Sequence, residues 1–328
     1  MYTKRKMKKL LRYLLDINLR SYYKVNFILS AKKPTARIWI AVKKAQLRKN
    51  INFWRARKKG FIAINYENMK KYKTSDTLVI LGSGPSINDI DDTEWEKIRR
   101  CDSFAFNSFY AHPFTPTYYH MELVSDNPKS REVHKECYLL KPNEFKRIPM
   151  ILNFNHLSKQ SHPLDFDYIN NCYVSIPISV SGINSEQDFS EMIGLLISHD
   201  ISAMESSLIH HRASLFLAIS FAVMMRYEKI VLAGVDMFDM DYFFFDTNNY
   251  KDDVSIKLRK AKLEACEKSK EESTQKIHRV ADSGIFDALP LDKAIVLYNE
   301  NYLKPMGIDL SLLSDKSLLY PRIRPRKR

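Results

Sequence analysis

Two of the chain's eight glycines flank a single serine directly after a short apolar run. The run Thr77–Leu81 is typical of a buried strand, and the turn after it consists of Gly82, Ser83, Gly84, Pro85 and Ser86. Glycine is favoured where another group approaches the backbone closely, and proline stiffens a turn. With Ser86 as the cap of a following helix, free backbone N–H groups would face an anion. The pattern predicts a phosphate-binding turn, and a tight packing turn without a ligand is the alternative.

From Thr77 onward, short β-like runs alternate with helical ones. The helical periodicity is clearest over Ser207–Tyr227, Ser255–Ser273 and Leu291–Lys304. The candidate strands are Thr77–Leu81, Ser103–Asn107, Thr117–Leu123, Pro149–Phe154, Cys172–Ile176, Lys229–Val235 and Gly307–Leu312. This alternation predicts an α/β fold with a Rossmann-like, doubly wound, mostly parallel sheet. In such sheets ligands bind beyond the carboxyl ends of the strands.

The net positive charge of the chain is concentrated at its two ends. Residues 1–60 hold 19 Lys and Arg and one acid, and the last seven residues hold five basic ones. Charge alone is compatible with nucleic acid, anionic lipid or a phosphorylated glycan. Trp39 and Trp54 lie among the cations, and this mixture favours a membrane interface. We predict that residues 1–75 form a basic, amphipathic, membrane-associating extension and that 321–328 form a basic tail. A solvated basic arm and an RNA-binding arm are the alternatives.

Cysteine spacing and hydropathy favour a cytoplasmic protein. The four cysteines show no C-x-x-C pairing, which argues against a zinc site or a disulfide framework. No apolar run reaches the roughly 18 residues that a membrane-spanning helix requires. The start of the chain is not expected to be a cleaved signal peptide, because Arg12, Tyr13 and Asp16 interrupt its apolar part.

Several ordered stretches resemble one family of enzymes. These are LGSGPSINDID, SFAFNSFY, the segment from His210 to Asp246, and GIDLSLLSDKSLL. In this order they resemble glycosyltransferase family 42, the bacterial sialyltransferases that use CMP-sialic acid. The resemblance covers about residues 77–320. It implies a GT-A-like variant of the fold, a nucleotide-sugar-binding catalytic domain over 76–320, and a lid about 240–285.

The resemblance also implies roles for individual residues. Tyr242 would stabilise the leaving phosphate, while Phe238 stands where the family has a second tyrosine. His278 is the candidate general base, because histidine titrates near neutral pH. Glu122 is expected to face the cleft, and His210 and His211 are candidates for acid–base or phosphate contacts. The remaining donor-binding residues are Gly82, Ser83, Gly84, Pro85, Ser86, Asn107, Arg212, Ser214, Gly234, Val235 and Asp236.

The function implied is transfer of sialic acid, or a related nonulosonic sugar, from a CMP donor with inversion of the anomeric centre. The acceptor would be a glycan or glycolipid of a bacterial surface, such as a lipopolysaccharide or capsule precursor. The expected partners include the anionic inner face of the cytoplasmic membrane. No nucleic acid is expected as a partner, and whether the chain forms a homo-oligomer is left open. No cofactor or metal is expected, although Asp239 and Asp241 form an Asp-x-Asp that suits Mn²⁺ or Mg²⁺.

Three alternatives remain open. The first is a Kdo or legionaminic acid transferase. The second is a pterin pyrophosphokinase-like protein, since such proteins share the G-x-G-P-S turn. The third is a non-enzymatic, basic nucleic-acid-binding protein.

Overall fold

The structure is a computed structural model of the chain. It describes residues 34–122, 128–157, 169, 171–198, 208–238, 241–272, 278, 280–282 and 288–326. Residues 1–33 of the amphipathic extension that the sequence predicts lie outside the described residues, as does Asp239. In the described part of the chain, no helix combines the length and the apolar character needed to cross a bilayer.

Within the described residues, the strands form a single parallel sheet in the order β5-β4-β3-β2-β1-β6-β7. Every predicted strand is present, with ends that differ by at most a few residues. The α/β, Rossmann-like fold is thus confirmed, and the described sheet is parallel throughout. The strands are β1 (Thr77–Leu81), β2 (Asp102–Phe106), β3 (Tyr118–Met121), β4 (Met150–Asn153), β5 (Cys172–Ser175), β6 (Lys229–Ala233) and β7 (Asp309–Leu312).

Helices connect the strands and cover both faces of the sheet. The longer ones are α1 (Pro34–Lys58), α3 (Asp92–Arg99), α4 (Pro128–Leu139), α7 (Glu186–Ser198), α8 (Ser214–Met224), α9 (Asp253–Glu272) and α10 (Leu291–Tyr298). The one-turn helices are α2 (Tyr66–Met69), α5 (Asn143–Arg147) and α6 (Phe154–Leu157). A π-helical turn, Asn299–Leu303, follows α10 and accounts for the longer helix that the sequence predicts there.

Alternate residues of β1 supply two hydrophobic cores, one on each face of the sheet. Leu78 and Ile80 pack with α1, α7, α8 and α10, and Val79 and Leu81 pack with α3, α4 and α9. This alternation follows from the two-residue period of a strand. Every residue of α8 is buried, as expected for a helix that is apolar on all sides.

The basic N-terminal region is part of the body from residue 34 onward. Ile38, Val42 and Ala45 of α1 are buried in the same core as α8. The Arg37 guanidinium donates to the Asp188 carboxylate and, at 2.7 Å, to the Gly182 carbonyl. The described part of the extension that the sequence predicts over 1–75 therefore contributes buried side chains to the core.

Both edges of the sheet are covered by these basic terminal regions. The Val174 N–H of β5 donates to the Ile62 carbonyl at 2.9 Å. At the opposite edge, the Arg326 N–H donates to the Leu312 carbonyl of β7 at 2.8 Å, and the Leu312 N–H donates to the Arg324 carbonyl at 3.1 Å. An uncovered edge strand invites pairing with another chain, so the predicted C-terminal tail has a structural role in its described residues.

Candidate functional site

A cavity of about 380 Å³ lies where the strand order reverses, beyond the carboxyl ends of β1, β2, β3 and β6. This reversal point is where open α/β sheets bind ligands. Phe238, with 47% of its surface exposed, and Ser86 lie outside the lining, as do the candidate histidines His210 and His211. The predicted residues that line the cavity are Gly82, Ser83, Gly84, Pro85, Asn107, Glu122, Arg212, Ser214, Gly234, Val235, Asp236, Tyr242 and His278.

The glycine-rich turn is pressed against the loop that follows β6. The Gly82 N–H donates to the Ala233 carbonyl at 2.7 Å, and the Gly84 N–H donates to the Gly234 carbonyl at 2.9 Å. A Cβ atom added to Gly82 would lie 2.2 Å from the Gly234 carbonyl oxygen, and one added to Gly84 would lie 2.4 Å from Asp236 Oδ2. Both glycines are therefore required by the approach of a neighbouring loop before any ligand is considered.

The role of helix cap that the sequence predicts for Ser86 is wrong. Its N–H donates to Asp236 Oδ2 at 2.8 Å, and its hydroxyl donates to Asp236 Oδ1. The helix α3 is instead capped by Asp91, whose side chain accepts from the Glu94 N–H at 2.8 Å. Since Asp236 accepts both bonds from Ser86, these two residues join the glycine turn to the β6 loop and do not present an open anion site.

Ser83 is the residue of the turn best placed to contact a ligand. Its hydroxyl oxygen is buried, has no hydrogen-bond partner among the described residues, and belongs to a residue of the cavity wall. A buried polar atom without a partner is costly. A ligand that bonds to Ser83 Oγ would remove that cost.

Unusual backbone conformations converge on this cavity. Asn107, Arg212 and Met237 line it with positive φ angles of 54°, 59° and 62°, and Gly234 lines it with a φ of 65°. Left-handed conformations are unfavourable for residues with side chains and are concentrated at functional sites. Asn107 is held by the Tyr119 hydroxyl, which donates to its carbonyl, while its own Nδ2 donates to Ser214 Oγ at 3.4 Å.

The first turn of α8 also faces the cavity. Ala213, Ser214 and Leu215 line the wall, and among the described residues no side chain caps this end of the helix. The N-terminus of an α-helix presents N–H groups and the positive end of the helix dipole. Together with Ser83 and Asn107, it makes this side of the cavity suitable for an anionic group.

Arg212 and His211 hold a neighbouring segment in place. The Arg212 guanidinium donates to the carbonyls of Val280 at 2.9 Å, Asp282 at 3.1 Å and Ala288 at 2.5 Å. His211 Nε2 lies 2.8 Å from the Leu289 carbonyl, and burial lowers the pKa of His211 to about 4. Both residues therefore position the chain near the cavity.

His210 forms a pair with Glu122 at the end of β3. His210 Nε2 lies 3.1 Å from Glu122 Oε1, and the two side chains are only 15% and 13% exposed. Asn153 Nδ2 donates to the same carboxylate oxygen at 3.4 Å. Because Glu122 lines the cavity, this pair brings an acid–base group to its wall.

His278 and Tyr242 complete the cavity on the side of the predicted lid. The His278 N–H donates to the Met237 carbonyl at 3.2 Å, and its Nδ1 accepts from the Val280 N–H at 3.4 Å. That second bond assigns the proton of a neutral ring to Nε2. His278 can therefore act as a base through Nδ1 only when the hydrogen bond from Val280 is broken. The ring of Tyr242 stacks on Phe244, with centroids 5.0 Å apart.

A basic wall of the cavity was missed by the sequence reasoning. It consists of Arg131 and His134 from α4 and Lys262 from α9. The His134 Nδ1 lies 2.5 Å from the Tyr110 hydroxyl. Burial, followed by the charge of Lys262, lowers the pKa of His134 to about 4. Lys262 lies in a helix whose charged residues are typical of a solvent-exposed face, so no local sequence pattern identifies it as a site residue.

Comparison with known proteins does not assign the chain to a family. No protein-family model matches the chain, and a search of curated proteins gives no match. Among the described residues, no three His, Cys, Asp or Glu side chains are grouped so that they could hold a metal ion.

Proposed function

We propose that the chain is a glycosyltransferase of the sialyltransferase type, with a GT-A-like variant of the fold, that uses a CMP-activated sugar. The observation that carries the proposal is the convergence of three features at the reversal point of the sheet. These are the hydroxyl of Ser83, which has no partner among the described residues, the left-handed Asn107 and the first turn of α8. They offer an anion a hydroxyl, an amide and the positive end of a helix dipole.

In the proposed reaction, the acceptor hydroxyl oxygen attacks the anomeric carbon of the donor sugar. The bond from that carbon to the phosphate oxygen breaks, CMP leaves with the bonding electrons, and the configuration inverts. Tyr242 donates a hydrogen bond to the departing phosphate. His278 takes the proton of the acceptor hydroxyl after the hydrogen bond from Val280 to its Nδ1 is released.

The basic wall favours a donor sugar that carries a negative charge of its own. Arg131 and Lys262 add positive charge to a cavity that also has the anion-suited face at α8. A nonulosonic sugar carries a carboxylate in addition to the phosphate of CMP, so two anionic groups would meet two separate sources of positive potential. Sialic acid, Kdo and legionaminic acid all satisfy this requirement, and the donor assay decides among them.

We place the reaction at the inner face of the membrane, on a glycan or glycolipid acceptor. The predicted lid, about 240–285, supplies Asp241, Tyr242, Lys262 and His278 to the cavity wall. The Phe243 N–H, which donates to the Ser83 carbonyl at 3.1 Å, attaches this segment to the glycine turn. Closure over the donor would exclude water from the reacting centre.

The test is to add CMP, UMP, ATP and RNA separately to the purified chain and measure the melting temperature. CMP alone is expected to raise it, because a ligand that binds the folded state stabilises it. Incubation with CMP-sialic acid and an acceptor should then release CMP, and a chelator should not abolish this release. Protection by ATP alone would favour the pterin pyrophosphokinase-like alternative. Protection by RNA alone would favour a nucleic-acid-binding protein.

A further inference from the structure

The helix α1 has one face in the core and another in solvent. Ile38, Val42 and Ala45 are buried against the body of the protein. On other sides of the helix, Trp39 is 38% exposed and Trp54 is 48% exposed. Large apolar side chains therefore remain in solvent on a helix whose core contacts are already satisfied.

These exposed rings belong to a continuous stripe along the helix. Trp39, Lys43, Leu47, Trp54 and Lys58 are separated by four or seven residues, a spacing that places them on one side of an α-helix. Lys43 Nζ lies 5.9 Å from the centroid of the Trp39 ring, and Lys58 Nζ lies 5.0 Å from that of Trp54. At 1.5 Å per residue the stripe is about 28 Å long. We call these five residues the Trp39–Lys58 stripe.

The charge around the stripe has a single sign. The sequence from Pro34 to Gly60 contains nine Lys and Arg and no Asp or Glu. Lys44, Arg48 and Arg55 are exposed beside the stripe, and Phe53, which is 47% exposed, adds a further ring. The combination of tryptophan, aliphatic side chains and cations matches the headgroup region of an anionic bilayer, where amphipathic rings and basic groups are both favoured.

We propose that the Trp39–Lys58 stripe is the surface by which the protein lies on an anionic lipid bilayer. The inference rests on the peripheral location in the proposed function and names the residues that provide it. The helix would lie in the plane of the interface, with Trp39, Leu47 and Trp54 among the upper acyl chains and the cations at the lipid phosphates. Nucleic acid is the less suitable partner, because its backbone needs cations but offers no apolar phase for Leu47.

Tryptophan fluorescence tests the proposal, because two of the three tryptophans of the chain lie in the stripe. The third, Trp95, is buried at 9% exposure, and Trp95→Phe in the full-length chain leaves only the two reporters. Phosphatidylglycerol vesicles should shift the emission of this variant to shorter wavelength. Phosphatidylcholine vesicles should produce a much smaller shift, since each cation near an anionic surface contributes about fivefold to binding.

Substitutions in the full-length chain then identify the surface by vesicle sedimentation. Trp39→Ser with Trp54→Ser, and separately Lys43→Gln with Lys58→Gln, should each weaken binding to phosphatidylglycerol vesicles by about tenfold or more. Leu139→Ser with Leu140→Ser is the matched control, because these residues are 45% and 49% exposed at the end of α4. The control should bind as the unmodified chain does.

Two results would overturn the proposal. One is vesicle binding by both stripe variants at the level of the unmodified chain, which would assign the contact to another part of the protein. The other is equal weakening by the Leu139 and Leu140 control. CMP release from a soluble acceptor is measured in parallel and should be unchanged in the stripe variants. Loss of activity in every protein, with vesicle binding intact, would refute the proposed reaction and leave the stripe assignment standing.

Discussion

Replacing glycines of this chain one at a time by alanine should give three distinct stabilities. At Gly82 the added Cβ would lie 2.2 Å from the Gly234 carbonyl oxygen. Carbon and oxygen atoms that are not bonded need about 3.3 Å, so the turn and the β6 loop must separate by about 1 Å. The Gly82 N–H bond to the Ala233 carbonyl, now 2.7 Å long, would weaken as they move.

The cost of Gly82→Ala follows from these contacts. Overpacking of a tight site costs about 1–3 kcal/mol, and each weakened hydrogen bond adds about 1 kcal/mol. We therefore expect the free energy of unfolding to fall by about 2–4 kcal/mol. At Gly84 the clashing atom is the Asp236 carboxylate, 2.4 Å away, which can rotate but must give up its bonds from Ser86. The loss there should be smaller, about 1.5–3 kcal/mol.

Gly194 provides the control, because it lies within α7 and an added Cβ meets nothing within 4 Å. Alanine is favoured over glycine in a helix, so Gly194→Ala should raise the free energy of unfolding by about 0.5–1 kcal/mol. Urea unfolding followed by circular dichroism measures all three variants. If Gly82→Ala unfolds at the same urea concentration as the unmodified chain, the argument that the two loops require glycine is wrong.

Three further substitutions test the rest of the site. Asn107→Gly suits the left-handed backbone and should leave the free energy of unfolding within about 1 kcal/mol while abolishing thermal protection by CMP; Asn107→Ala should lose stability as well. Burial lowers the pKa of His211 to about 4 from an ordinary value near 6.5, so the unfolded chain binds more protons between these values and stability falls as the pH drops through that window. His211→Gln should flatten this fall by up to about 1.4 kcal/mol per pH unit in urea titrations at several pH values. Arg212→Lys keeps the charge but loses the fork of N–H donors, and should lower the free energy of unfolding by about 1–3 kcal/mol, as measured in urea.

The sheet was predictable from the sequence because each strand is a short apolar run bounded by turn residues. The start of α8 was not. The sequence predicts a helix from Ser207, whereas α8 begins at Ser214. In the described part of the intervening chain, Ile209 forms a β-bridge with Ile178, the His210 N–H donates to the Ile178 carbonyl at 3.0 Å, and Arg212 is left-handed. These are contacts with distant segments, which helical periodicity cannot reveal.

The residues of the candidate site also fall into two groups, those that the sequence could reveal and those that it could not. Gly82 and Gly84 could be found because the close approach of a neighbouring loop requires glycine and so leaves a local mark in the sequence, and Asn107 was identified through the resemblance. Arg131 and Lys262 could not, because they reach the cavity only through the packing of α4 and α9. For α1, the sequence contained the pattern of a core helix, but the interpretation followed its charge. Its core positions Ile38, Val42 and Ala45 have helical spacing in the sequence, but the surrounding cations led to the interpretation of a separate extension.

The structure changes the physical reason for the glycines without removing the case for a ligand. A row of free amides in the turn is not what faces the cavity, because Gly84 and Ser86 donate to the β6 loop. The glycines instead let two loops meet, and the buried hydroxyl of Ser83 in the same wall has no partner among the described residues. Asn107 reaches the same wall at the cost of a left-handed backbone. Packing accounts for the glycines, and the bonds to the Tyr119 hydroxyl and to Ser214 Oγ hold Asn107 in its left-handed conformation, but packing does not explain the hydroxyl of Ser83, which has no partner among the described residues. A bound anion that accepts a hydrogen bond from Ser83 Oγ would remove the cost of that buried hydroxyl.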